Sequence, residues 1–224
     1  MKTIESDYDF SEMHQRMQFY IDQDILSCCA TAVFKGTDLV DHQTFGYMDL
    51  ETRQPLRDDG IYRMASNTKI VTSVALMMLQ EAGLFDLDDP LAKFMPEFSD
   101  MQVLQPNASA AADVSPAENL ISVRHLLSHS AGLSYGFVEP DSVIDQAYLN
   151  DGVNGLGEQE IDSEELCLCI AKLPLAFEPG TSWRYSFATD VCARLVEVLS
   201  GLSFDVFLRQ RLFEPLGMVD TDFW

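Results

Sequence analysis

Basic residues are scarce. Only 14 Lys and Arg stand against 36 Asp and Glu, a formal charge of −22 over 224 residues. So acidic a surface repels a phosphate backbone or an anionic lipid face, which argues against nucleic acid and membranes as partners. Long apolar runs are missing too, and no stretch approaches the ~18 residues that mark a bilayer-spanning helix. The N-terminal MKTIESDYDFSEMHQRMQFYIDQDILSCC has no apolar core of about 7–15 residues behind a basic patch, so it does not read as a secretory leader. Cysteine is sparse, five in all, an odd number without disulfide-framework spacing. That favours a reducing compartment, and the expected location is cytoplasmic. Neither Cys28-Cys29 nor Cys167-x-Cys169 makes the paired C-x-x-C of a zinc site, and both read more simply as buried small residues. No cofactor or metal is expected.

The rest of the composition is globular, with 47% hydrophobic and 22% charged residues. An amphipathic helix is expected over roughly Phe10 to Asp24. Next comes CCATAVFKGTDLVDHQTFGYMD, whose β-branched and aromatic residues flank a KGTD hairpin turn. SNTKIVTSVALMMLQEAG is next, a helix apolar nearly all round and ended by Gly83, which predicts burial between two layers. The low-complexity QPNASAAADVSPAENL reads as an exposed excursion, ISVRHLLSHSAGL as a short helix ended at Gly132, and the segment to about Ile161 as a Gly- and Asp-rich loop. Helical spacing returns in DSEELCLCIAKL, in ATDVCARLVEVLSG through Ala188, Val191, Cys192, Leu195 and Val198, and in SFDVFLRQRLFEPLG. The pattern is two early strands and then mostly helices.

Two serines compete as nucleophile. Ser134 lies in Gly132-Leu133-Ser134-Tyr135-Gly136, a G-x-S-x-G string, but a nucleophile elbow needs a strand before the serine and a helix after it. Here VRHLLSHSA has helical spacing, and Pro140 breaks the stretch where a helix should continue, so Ser134 reads as a turn residue. Ser66 lies in Ser66-Asn67-Thr68-Lys69 at the N-terminal end of the apolar helix, where free N–H groups and the helix dipole favour a developing negative charge. Ser66 and Lys69 stand about 60° apart around the axis and share a face. A lysine accepts a proton only when neutral, a form that burial favours. The plainer alternative, an N-capping serine beside a surface lysine, stays open on this motif alone.

The run YRMASNTKIVTSVALMMLQEAGLFDLDDPLAKFMPEF, with VRHLLSHSAGL, EPGTSWRYSFATDVCARLVEVLSG and LFEPLGM, resembles the serine hydrolases built on the class C β-lactamase fold. These include penicillin-binding DD-peptidases, class C β-lactamases and family VIII carboxylesterases, and the resemblance is collinear from about Ala30 to Met218. It implies an α/β (α+β) fold of the β-lactamase/transpeptidase type, an antiparallel sheet flanked by helices plus a mostly helical region. One domain over 1–224 is expected, with residues 30–90 as the α/β part carrying the nucleophile helix and 91–224 as the helical part. By the same resemblance Ser66 is the acylated nucleophile, Lys69 its general base, and Tyr185 of YSF the tyrosine that shares the proton relay. His125 and His129 have the i, i+4 spacing of two metal ligands but lack the glutamate of H-E-x-x-H. The resemblance makes their segment a support of the site.

Two departures from the family pattern bear on function. Phe187 stands where β-lactamases and DD-peptidases carry the asparagine of Y-x-N, which tilts the expectation toward ester substrates. The third motif, K-T-G, H-x-G or W-G-G, is absent ahead of the terminal GMVDTDFW, so the chain reads as truncated with an incomplete sheet. An open sheet edge would favour association between copies. The first expectation is hydrolysis of small carboxylic esters through an acyl-serine. The alternatives are β-lactamase or DD-peptidase-like activity on an amide, and a silent fragment that acts only by binding.

Overall fold

The computed structural model describes residues 7–153 and 161–223, which divide into two compact units, residues 1–63 and 64–224. In the first unit helix α1 (Ser11–Asp22) precedes an antiparallel hairpin of β1 (Cys28–Lys35) and β2 (Asp38–Asp49). Lys35 pairs with Asp38, so the turn is Gly36-Thr37 as KGTD predicts. The two-residue strand β3 (Gln54–Pro55) adds a third strand beside β2. Helix α1 packs on β2, where His14 Nε2 lies 2.9 Å from Asp41 Oδ2 and its ring faces Phe45.

The second unit is built round its helices. A 3₁₀ turn (Ala65–Asn67) runs into α2 (Thr68–Glu81), which Gly83 ends at φ +75°. A small hairpin, β4 (Gln102–Leu104) with β5 (Val114–Pro116), comes after it. Then come α3 (Val123–Leu127), α4 (Val143–Asn150), α5 (Ser163–Ile170), α6 (Ala188–Ser200) and α7 (Phe204–Leu208), the last continued by a π turn over Arg209–Phe213. Helix α6 is the hub, packing against α2, α3, α5 and α7. Its Ala188, Val191, Cys192, Leu195 and Val196 are buried with Ala75, Leu76 and Leu79 of α2 in one core. Four of the five residues singled out by spacing on α6 belong to that core, while Val198 at the far end is 40% exposed.

Two expectations are corrected. Helix α2 is not buried all round: Ile70 is 65% and Val74 41% exposed, while Thr72, Ala75, Leu76 and Leu79 face inward. Apolar residues on every side of a helix do not by themselves supply a second covering layer. The excursion after Gln105 is largely exposed, as its composition predicts, and it closes a hairpin by leading into β5. The loop from Ser134 to Ile161 contains α4, capped by Ser142, whose hydroxyl accepts from the Asp145 N–H at 3.3 Å; residues 154–160 of that loop lie outside the described residues.

Gly132 shows how tightly the segment after α3 is held. Its φ is +84°, its carbonyl accepts from Ala176 N at 2.7 Å, and a Cβ there would lie 2.4 Å from the Phe177 carbonyl oxygen. Gly132→Ala therefore combines a left-handed backbone with a backbone collision. It is expected to cost more than about 1–2 kcal/mol, read as a lower urea midpoint at constant slope; an unchanged midpoint would mean that the Phe177 segment yields freely.

Candidate active site

Ser66 reaches the surface because the backbone before it is bent sharply. Ala65 has φ +43°, an uncommon value for a residue with a Cβ, and the 3₁₀ turn then delivers Ser66 to the amino end of α2 with its side chain exposed. One turn on, Lys69 is half-buried on the same face. Tyr185 comes from the short segment ahead of α6, and its Oη lies 2.8 Å from Ser66 Oγ. Lys69 Nζ sits 4.9 Å from the centroid of the Tyr185 ring and 5.6 Å from that of Tyr135. The three residues singled out in the sequence thus meet within one unit.

The charges and contacts around Tyr185 favour its ionised form. Burial alone would raise its phenol, but contact with the Ser66 hydroxyl and the neighbouring Lys69 charge outweigh burial and hold it below the usual tyrosine range. His129 lies alongside, its ring 5.0 Å from Tyr185 and 6.3 Å from Trp183, with Nδ1 3.3 Å from Ser186 Oγ. Burial, and then the Lys69 charge, push His129 down, so it stands beside the site as a neutral ring. His129 has left the helix at φ +53°, whereas His125 remains in α3 and completes its capping box with Ser122. The two histidines therefore do not form an i, i+4 pair on one helix face. Among the described residues no cluster of three or more His, Cys, Asp or Glu is placed to hold a metal, and no helix is long and apolar enough to cross a membrane.

Ser134 has another task. It is wholly buried, preceded by α3 rather than a strand. Its Oγ donates to Asp145 Oδ1 at 2.5 Å and accepts from Arg184 Nε at 2.6 Å. Arg184 Nη2 also reaches Asp145 Oδ1 at 2.9 Å, its Nη1 reaches Glu139 at 2.8 Å, and Asp145 Oδ2 accepts from Glu139 N at 2.6 Å. The Ser134 carbonyl accepts from Phe187 N at 3.3 Å and its N–H donates to Tyr148 Oη at 3.1 Å. Arg184 and Phe187 flank Tyr185 in the chain, so this network clamps the segment that carries the phenol. The motif's neighbouring residue, Tyr135, is the one that faces Lys69.

Phe187 is buried, its ring 4.3 Å from Tyr135 and stacked 6.1 Å from Tyr148. It fills its position with an aromatic wall and offers no amide to a substrate carbonyl.

Known proteins resemble this chain in sequence and in fold. A family profile described as Beta-lactamase matches residues 15–224. The chain is similar to esterase EstB of Burkholderia gladioli, 34% identical over 179 residues that cover 80% of this chain and 42% of that protein. It is similar also to lovastatin esterase of Penicillium rubens, 33% identical over 175 residues, 77% of this chain and 42% of the relative. Among solved structures it superposes on EstCE1, a hydrolase with promiscuous acyltransferase activity, with a TM-score of 0.79, 26% identity, and coverage of 91% of this chain and 50% of that one. The chain spans half or less of the length of each.

Proposed function

The chain belongs to the beta-lactamase family and shares the β-lactamase/transpeptidase-like fold, and from that premise we propose that it is a serine hydrolase cleaving small carboxylic esters through an acyl-serine. The observation that carries this reading is the 2.8 Å contact between Ser66 Oγ and Tyr185 Oη beside Lys69. Tyr185 takes the Ser66 proton in its phenolate form, which the Lys69 charge favours, so Lys69 serves here by its charge and not as the general base that the family resemblance implies. Oγ then bonds to the ester carbonyl carbon, whose π electrons move to oxygen at the amino end of α2. When the tetrahedral centre collapses, the carbon–alkoxy bond breaks and the alcohol departs with the proton held by Tyr185. Water repeats the sequence on the acyl-serine: it gives a proton to Tyr185, adds to the carbonyl, and Ser66 leaves with that proton as the acid is released.

The buried Phe187 supports esters over β-lactams or peptides, since no side-chain amide stands at its position to bind an amide carbonyl. A second reading, acyl transfer to an alcohol acceptor, arises from the same intermediate and is supported by the acyltransferase activity named for EstCE1. We keep the whole chain as one hydrolase domain acting on a small molecule, cytoplasmic and able to associate with its own copies.

Intact mass after exposure to a fluorophosphonate tests the proposal. The chain is expected to gain one adduct and to hydrolyse a short-chain chromogenic ester; a folded chain that gains none sinks it. Tyr185→Phe keeps the ring and removes the proton acceptor, so labelling and turnover should fall by about 10²–10⁴ with the fold retained. A Tyr185→Phe variant within twofold of the parent would remove Tyr185 from the mechanism.

A further inference from the structure

Lys69 is a flexible ammonium that sits over the Tyr135 and Tyr185 rings. Two aromatic faces attract a cation, but only by about 0.5–2 kcal/mol, and water competes strongly for an ammonium. A fixed anion nearby would hold it. Asp190 supplies one. It stands in the first turn of α6, half-buried, and its carboxylate Oδ2 accepts from Tyr135 Oη at 3.3 Å. Burial raises this carboxyl above the usual carboxylate range, and the Lys69 charge and then the Tyr135 hydroxyl hold that rise back. The group is thus coupled to the lysine as well as to the tyrosine. An acid in the first turn of a helix ordinarily answers the helix dipole; this one also feels the Lys69 charge, and the two share Tyr135, whose hydroxyl meets Asp190 and whose ring lies under Lys69.

We propose that Asp190 is a positioning residue of the Ser66–Tyr185–Lys69 relay: fixed by Tyr135 Oη, its carboxylate keeps the Lys69 ammonium over the Tyr185 ring. The proposal rests on the reading of Ser66 and Tyr185 given above. The titratable groups facing Lys69 and Tyr185 are Asp190 from α6, and Tyr135 and His129 from the segment after α3. Cys192 of α6 and Cys167 of α5 also feel the Asp190 charge, and burial pushes both thiols up, so they stay neutral.

The sign of one titration separates positioning from mere proximity. Asp190's own charge opposes ionisation of Tyr185, so its simple removal would let the phenol ionise at lower pH. If Asp190 holds Lys69 in place, losing it frees the lysine, and Tyr185 should ionise at higher pH. The readout is tyrosinate absorbance of the full chain, with Tyr185→Phe identifying the Tyr185 signal. Asp190→Asn is expected to move that titration upward and to slow fluorophosphonate labelling of Ser66 by up to about 10²-fold, and Asp190→Glu should recover part of both. Tyr135→Phe removes the tether from the other side and should act in the same direction, which keeps the test open if Asp190→Asn does not fold. A downward or unmoved Tyr185 titration in folded variants overturns the proposal. A parent chain that is never labelled sinks the nucleophile reading instead, and the direction of the titration then still decides whether Asp190 places Lys69.

Discussion

Ser66→Ala is expected to abolish covalent labelling and to lower ester turnover by about 10⁴–10⁶, because no other hydroxyl among the described residues stands within reach of Tyr185 Oη in the same geometry. The comparison that gives this result its meaning is Ser134→Ala. That side chain is wholly buried between Asp145 and Arg184. Its loss should cost about 1–3 kcal/mol of stability while leaving one adduct per folded chain. Mass spectrometry of both variants after fluorophosphonate treatment decides the matter. An adduct on Ser66→Ala and none on folded Ser134→Ala would reverse the assignment.

Asp145→Ala should have the largest effect on stability. Asp145 is fully buried and answers the guanidinium of Arg184, which is itself only 12% exposed. Truncating the carboxylate leaves that cation without its buried carboxylate partner, a change that costs about 3–5 kcal/mol. Glu139 offsets part of this, since it also bonds Arg184, but its own side chain is 64% exposed and its contact is weakened by water. The loss is measured as a fall in urea midpoint, and in the fraction still folded labelling should be slower because the segment holding Tyr185 is no longer clamped. Asp145→Asn keeps the shape and one acceptor and should lie between the two. Equal stability of Asp145→Ala and the parent would show that water already satisfies Arg184.

Much of this arrangement is written in local pattern, and the rest is not. The hairpin turn at Gly36-Thr37, the capped start of α5 at Asp162 and the left-handed stop of α6 at Gly201 each depend on residues within one turn of the feature, so the sequence displays them directly. Ser66, Lys69 and Tyr185 are legible because a motif and a collinear family resemblance mark them. Helix α4 is harder, lying among Gly, Asp and Pro, although Ile144, Ala147 and Tyr148 after the capping Ser142 have helical spacing. Two features leave no local trace. Arg184 meets Asp145 and Glu139 from about forty residues away in the chain. Asp190 looks like any acid at a helix start until Tyr135 is brought beside it.

The bond between Ser66 and Tyr185 joins residues 119 apart in the chain, and the Arg184–Ser134 contact that steadies it, nested inside that span, joins residues 50 apart. No single helix of this protein contains the reactive pair. Loops of such length close only against a large loss of chain entropy, which the packed core around α6 must first offset. A chain with its helices formed but not yet docked would therefore carry an ordinary, inert serine. Covalent modification of Ser66 then becomes a count of native molecules, and its time course during refolding a clock for the docking of α2 on α6.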